Sequence, residues 1–364
     1  MSTSTVKLSS TSEVNSVRNS SLSGGGTHHK EVTCELLARK DFPLWDNLVD
    51  ASPHGTVFHY SWWLEITSPS FELLVVRDED GRLVGGIPLP RQRSSGLRLI
   101  HSPHLTPYLG PIFDLSFADG TCDRLYLMRF HGEILARHIA DFDSFRCIVG
   151  ATAPDLQGFL WAGFRAQLVY TFRFFFRQTL EEITKGITRT HFQKLNKAKR
   201  LDVRVIRNDR MEHLLELNRM TFGRQGALPP FSESLVLQLW KAADSRGKAD
   251  LYIARSAKDE PVAGLFTVHD SRATYQIVSG FNPTLMDIPG QNILLWSAVQ
   301  DAINAGRDFD FEGSALRGVE TFYRRWGASS VPIWRIEKAS TLRGTVAQFF
   351  MYHRDSEKFR SLSR

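Results

Sequence analysis

Apolar and polar positions along this chain fall into short runs, and the runs follow the same order twice. Val32 to Ala38 alternates with a period of two, as a strand does. Asp41 to Ala51 and Ser61 to Ser68 carry helical spacing, with Ser61 placed as an N-cap. Phe71 to Arg77, Leu83 to Pro90 and Leu97 to His101 read as three strands, the first two joined by a turn at Asp80-Gly81. A helix, a strand, a helix and a strand follow at Asp123 to Ile139, Phe145 to Val149, Asp155 to Ala162 and Arg165 to Phe176. Glu181 to Arg200 then reads as one basic helix.

After it the order resumes. Val203 to Arg207 is a strand, Met211 to Phe222 and Ser232 to Ala243 are helices, and Leu251 to Arg255, Ala263 to Val268 and Thr274 to Gly280 are strands. The stretch from Met286 to Glu337 closes this half. It predicts a turn at Pro289-Gly290, a helix from Ile293 to Ala305 ended by Gly306, and a strand through Phe309-Asp310-Phe311-Glu312. A short helix ending at Gly327 and a last strand, Ser330 to Glu337, complete it. Ala339 to Arg364 reads as a helix that crosses back onto the first half or docks a partner.

The pattern β-α-α-β-β-β-α-β-α-β therefore occurs twice, offset by roughly 170 residues, a spacing that means duplicated domains and not a solenoid. The fold class is α/β with mixed (α+β) sheets. The expected organisation is a disordered tail (1–30), a first domain (31–180), a basic connecting helix (181–201), a second domain (202–338) and a C-terminal helix (339–364). A length of 364 residues agrees, since one core rarely supports so long a chain.

Composition narrows the class. A hydrophobic share of 42% with 25 Phe and 8 Trp describes a well-packed soluble protein. No apolar run approaches the ~18–20 residues a membrane span needs, so any membrane contact is expected to be peripheral. Three cysteines, odd in number and without a C-x-x-C pair, argue against a disulfide framework and a cysteine zinc site. No H-E-x-x-H is present, so no metal is expected. A reducing, cytoplasmic location fits best. A net charge of +6 favours acidic partners such as nucleotides, tRNA or anionic lipid and polysaccharide intermediates; DNA is not expected.

Four local motifs sit on the matching elements of the repeat: Gly110-Pro111-Ile112-Phe113-Asp114, Lys194-Leu195-Asn196-Lys197-Ala198, Phe309-Asp310-Phe311-Glu312-Gly313, and Phe322-Tyr323-Arg324-Arg325-Trp326-Gly327. With the element order, they resemble the GCN5-related N-acetyltransferase superfamily. Two copies in tandem resemble its FemAB-like transferases and the BioF2-like acetyltransferase branch. The resemblance implies two tandem acetyltransferase-like domains, with the second catalytic and the first shaping the acceptor. It departs from the superfamily at Pro289-Gly290-Gln291-Asn292, which keeps one glycine of the donor loop. Phe58 to Glu65 also lacks the Lys of enzymes acting on muramyl-peptide precursors, which argues against such an acceptor.

Candidate chemistry follows from both sources. Gly290, Gln291 and Asn292 open a helix, where backbone N–H groups suit the anionic part of a donor; a plain turn is the alternative. The resemblance makes Tyr323 the acid that protonates a departing sulfur, against packing of the helix onto the sheet. Glu312, at a strand end, is placed to take a proton from an amine, against capping a helix near Ala315 or pairing with Arg317. Arg189, Lys194 and Lys197 form a basic face for a phosphate or tRNA, against a solvated surface. Tyr60, Tyr108 and Asp114 are the acceptor-side candidates, against core and staple roles. The function expected is transfer of an acyl group, acetyl from acetyl-CoA or another acyl-CoA, to an amino group of a sugar, lipid-linked or small-molecule acceptor in polysaccharide or cell-envelope biosynthesis. An aminoacyl transferase using aminoacyl-tRNA and a non-catalytic binding module are the alternatives.

Overall fold

The computed structural model describes residues 15–17, 32–116, 118, 120–224, 226–312 and 317–361. The first half runs β1 (Asn15–Val17), β2 (Val32–Leu36), α1 (Phe42–Ala51), α2 (Ser61–Thr67), β3 (Phe71–Arg77), β4 (Leu83–Ser94), β5 (Leu97–His101), β6 (Ile112–Phe113), α3 (Thr121–His138), β7 (Ser144–Val149), α4 (Gln157–Trp161) and β8 (Arg165–Phe174). The second half runs α5 (Leu180–Gly186), α6 (Arg189–Arg200), β9 (Arg204–Arg207), α7 (Met211–Gly223), α8 (Glu233–Asp244), β10 (Ala249–Arg255), β11 (Pro261–His269), β12 (Ala273–Phe281), α9 (Gly290–Asn304), β13 (Asp308–Asp310), α10 (Arg317–Arg325), β14 (Ser329–Ala339) and α11 (Leu342–Ser361).

All the described strands belong to one mixed sheet, ordered β1-β2-β3-β4-β5-β7-β14-β8-β13-β12-β11-β10-β9, with β6 paired to β4 off that path. The halves meet by exchanging their last strands. β14 pairs with β7 and β8, from Ser329 opposite Arg173 to Glu337 opposite Arg165. β8 in turn pairs with β13 through Phe174 opposite Phe309 and Arg173 opposite Asp310. Each half is thus closed by a strand that the other half supplies.

Alternation along β8 sorts its side chains by face. Phe172 and Phe174 join Ile183, Leu195, Trp296, Phe309 and Trp326 in a core under α9 and α10. A second core, around Phe113, Leu135, Phe145 and Phe159, lies under α3 and α4. The third spans the seam: Phe58 and Trp63 of the first half pack with Leu214, Phe266 and Tyr275 of the second. Burying each such side chain contributes about 1.5–3 kcal/mol, so this shared core ties the halves together.

Several local expectations need correction. Glu181 to Arg200 is two helices, because Ile187 and Thr188 are extended and the Thr188 N–H and hydroxyl both donate to the Arg325 carbonyl. The start of α5 is instead secured by a capping box of Thr179 and Glu182. Ser61 is not an N-cap; it is the first residue of α2, held through its N–H and hydroxyl by Asp46. The strand through Phe309 ends at Asp310. Gly306 does end its helix in the left-handed region, at φ +70. The assignment of residues 1–30 to a tail lies outside the described residues, apart from β1, which pairs with β2.

Candidate functional site

β12 and β13 run parallel but pair only from Ala273 opposite Asp308 to Tyr275 opposite Asp310. Beyond that point the strands part, and the gap is where the candidate chemistry collects. Phe311 leaves the strand by donating its N–H to the Phe172 carbonyl. Glu312 then adopts φ +60, a left-handed conformation uncommon for a glutamate, with its N–H donated to Asp310 Oδ1 at 2.8 Å. Such strain is held in place by surrounding structure and clusters at functional sites.

The Glu312 Oε1 is buried and has no hydrogen-bond partner among the described residues. Burial first, and the charge of Asp310 second, push its carboxyl well above the usual carboxylate range. The helix start near Ala315 and the Arg317 side chain, considered as its structural partners, lie outside the described residues. Tyr323, buried on α10, sets its ring 4.5 Å from Phe311 and receives a hydrogen bond from Gln276 Nε2 at 3.4 Å. Burial and then Glu312 push its hydroxyl up, so it holds its proton at neutral pH. A carboxyl eager to keep a proton and a phenol able to give one are therefore electrostatically coupled at the strand gap.

The glycine that ends this motif has a separate reason. Gly327 sits at φ +80, and a Cβ there would lie 2.5 Å from the Gly186 carbonyl oxygen. Only glycine lets the end of α10 close against α5.

The loop between β12 and α9 forms a cavity of about 200 Å³, lined by Lys194, Arg224, Pro289, Gln291 and Asn292 among others. Gly290 backs it, pressed so close to β11 that a Cβ would meet Val262 Cγ1 at 2.7 Å. The first turn of α9 carries no acidic side chain, and Asn292, only 4% exposed, has an Nδ2 without a partner among the described residues. Buried amide donors normally find acceptors. A helix N-terminus, an idle amide and two cations form a setting for an anion. Arg189 and Lys197 also lie exposed on α6, but only Lys194 of the three lines this cavity.

The first-half candidates are spent elsewhere. The Tyr108 hydroxyl is buried against Asp310 and Thr171, and Thr171 donates to Asp310 Oδ1 at 2.6 Å. Arg173 Nε donates to Asp310 Oδ2 at 2.7 Å; burial opposes its charge, but Asp310 together with Tyr275 and Tyr108 pushes the guanidinium up. Tyr275 donates to Asp270, which also accepts the Val57 N–H. Tyr60 donates to Asp50 beneath the Lys248 ammonium, 4.8 Å from its ring. Asp114 accepts the Ser116 N–H in a local turn. Gln276, Arg224, Asp310 and Arg173 were not singled out from sequence. The signal for the last two is a charge in an aromatic run, Phe172-Arg173-Phe174 and Phe309-Asp310-Phe311.

Among the described residues no group of side chains could hold a metal ion, and no helix is long and apolar enough to cross a membrane. Residues 184–324 match the family described as Acetyltransferase (GNAT) domain. No curated protein matches the sequence. Solved structures do share the fold. FemX superposes with a TM-score of 0.63 at 15% identity, over 86% of this chain and 99% of that one. The C-terminal domain of a candidate lysylphosphatidylglycerol synthetase from Agrobacterium fabrum gives 0.54 at 13%, over 85% and 95%. A tandem GNAT protein from the clavulanic acid biosynthesis pathway gives 0.50 at 11%, over 85% and 99%. The gap between β12 and β13 falls inside the matched segment. Residues 184–324 thus match an acetyltransferase-type GNAT domain, and the whole chain shares its fold with FemX and with a tandem GNAT protein.

Proposed function

We propose that the protein is an N-acyltransferase that moves an acyl group, acetyl from acetyl-CoA in the first instance, onto the amine of a sugar, lipid-linked or small-molecule acceptor. The observation that carries this reading is the buried Glu312 Oε1, without a partner among the described residues, on a carboxyl coupled to the Tyr323 hydroxyl where β12 and β13 part. In the reaction the amine nitrogen attacks the thioester carbonyl carbon and the carbon–sulfur bond breaks. Glu312 accepts the proton the amine loses, and Tyr323 gives a proton to the departing sulfur. Gln276 fixes the phenol. The donor's phosphates fit the cavity at the start of α9, with Asn292 Nδ2, Lys194 and Arg224 as the groups that meet them.

Aminoacyl transfer from tRNA is the second reading. The exposed basic side chains of α6, Arg189, Lys197 and Lys199, favour it.

The test is thermal unfolding with acetyl-CoA or aminoacyl-tRNA, followed by thiol release from acetyl-CoA across a panel of amines. A ligand stabilises the state that binds it. Stabilisation by acetyl-CoA with amine-dependent thiol release supports the first reading. Salt-sensitive stabilisation by tRNA alone supports the second. No effect of either overturns both.

A further inference from the structure

The groups that meet Asp310 come from both halves of the chain. Tyr108 precedes β6, Thr171 and Arg173 lie on β8, and Asp310 ends β13. The Asp310 Oδ2 accepts from Arg173 Nε at 2.7 Å, and Arg173 is itself braced by Asp308 Oδ2 at 3.4 Å. The Oδ1 accepts from Thr171 Oγ1 at 2.6 Å and from the Glu312 N–H at 2.8 Å. The Tyr108 hydroxyl is within hydrogen-bond reach of both oxygens. A carboxylate offers about four lone-pair positions, and Tyr108, Thr171, Arg173 and the Glu312 N–H fill them. The plane of this carboxylate is therefore set by side chains of the first half.

One of these bonds has no part in joining the halves. The Glu312 N–H and the Asp310 carboxylate lie two positions apart in the same half. What their bond fixes is the turn at Glu312, where φ is +60. A non-glycine residue keeps such a conformation only where its surroundings over-determine it. The turn carries the Glu312 carboxyl into the strand gap, with Oε1 buried. There it is electrostatically coupled to Tyr323 of α10 and to Tyr108.

We propose that Asp310 is the positioning residue of the acyl-transfer site: Tyr108, Thr171 and Arg173 of the first half orient its carboxylate so that it holds Glu312 in the conformation that takes the proton of the amine. This rests on Glu312 being the base. The first half thereby shapes the reaction in the second through one buried carboxylate. The same anchor bears on proton affinity, since burial and then the Asp310 charge hold the Glu312 carboxyl high. The titratable groups around it are Asp310, Tyr323 and Tyr108, with Arg173 of β8 and Tyr275 of β12 acting through Asp310.

The test reads the Glu312 carboxyl directly, in the full chain. Infrared difference spectra across pH show the C=O stretch of a protonated carboxyl, and the band missing from Glu312→Gln belongs to Glu312. In the parent that band should persist at neutral pH. Thr171→Val and Tyr108→Phe each take one donor from Asp310. Both should move the band midpoint toward the ordinary carboxylate value by about one pH unit or more and lower kcat roughly tenfold. The rise of kcat/KM with pH should shift the same way, and Thr171→Ser, which keeps the hydroxyl, should retain parent values. Asp310→Asn, the variant most costly to the fold, should shift the band furthest; Thr171→Val and Tyr108→Phe carry the test if it does not fold. An unmoved band and pH profile in variants whose melting temperature falls would leave Asp310 as a structural lock and overturn the proposal. So would a parent Glu312 that titrates at the ordinary value, or a Thr171→Ser variant that behaves like Thr171→Val. Parent turnover in Glu312→Gln would instead sink the base, and the positioning claim with it, whereas unmoved bands sink the anchor alone.

Discussion

The Tyr108 hydroxyl stands 3.0 and 3.1 Å from the two carboxylate oxygens of Asp310, joining side chains 202 positions apart. Asp310 has no exposed surface and is also held by Thr171 and Arg173. A buried charge keeps its place only with such partners. Tyr108→Phe is expected to cost about 1–3 kcal/mol, the desolvation cost of a weakened buried acceptor. Asp310→Asn, which removes the nearer of the two carboxylates paired with Arg173 and leaves Asp308 at 3.4 Å, should cost about 3–5 kcal/mol. Denaturant unfolding of the two variants measures both, and the ranking is the informative result.

Glu312 is expected to couple stability, and the proposed activity, to pH. Its carboxyl is held above the ordinary value of about 4.3 that it has in the unfolded chain. Below that value both states are protonated and the group has no effect. As pH rises past it, the unfolded chain ionises while the native protein keeps the proton, so native stability falls until the native pKa is passed. Glu312→Gln should remove that loss and be more stable than the parent at neutral pH, yet equal to it in acid. Its turnover should drop by about 10²-fold or more and lose the rising alkaline limb of kcat/KM. A variant that is unchanged in both respects would remove Glu312 from the reaction.

Tyr323→Phe separates the proposed acid role of this residue from its packing. The ring contacts with Phe311 and Phe172 remain, and only the hydroxyl that Gln276 meets is lost. Unfolding should move little while turnover falls by about 10²-fold. Wild-type turnover in this variant would leave Tyr323 as a packing residue alone.

At the start of α9, Asn292→Ala should raise the KM for the acyl donor and leave kcat nearly unchanged, because it removes binding common to ground and transition states. Lys194→Gln should do the same and flatten the salt dependence of KM. Gly290→Ala should instead destabilise the fold, since the new methyl presses into Val262. Initial rates across donor concentration and ionic strength distinguish the three.

The order of elements could be read from local patterning because each strand and helix advertises its own period. Phe71–Arg77 and Leu97–His101 match their sequence limits to the residue. Local patterning could also mark Glu312 and Tyr323, which sit on motifs. It could not place Tyr108 beside Asp310 or Gln276 beside Tyr323. Those meetings depend on which strands become neighbours, and strand order is decided by pairing across the whole chain. The helix break at Thr188 escaped for the same reason: its cause is the Arg325 carbonyl, 137 residues on.

The reciprocal exchange of closing strands has a consequence for synthesis on the ribosome. β8 emerges early, yet both its neighbours, β14 and β13, are among the last strands made. Until they arrive it carries two open edges, with aromatic side chains that invite pairing with other chains. Arrival of β14, rather than completion of the first half, is the event that seals the sheet. A nascent chain truncated before Ser329 should therefore depend on chaperones in a way the full-length protein does not.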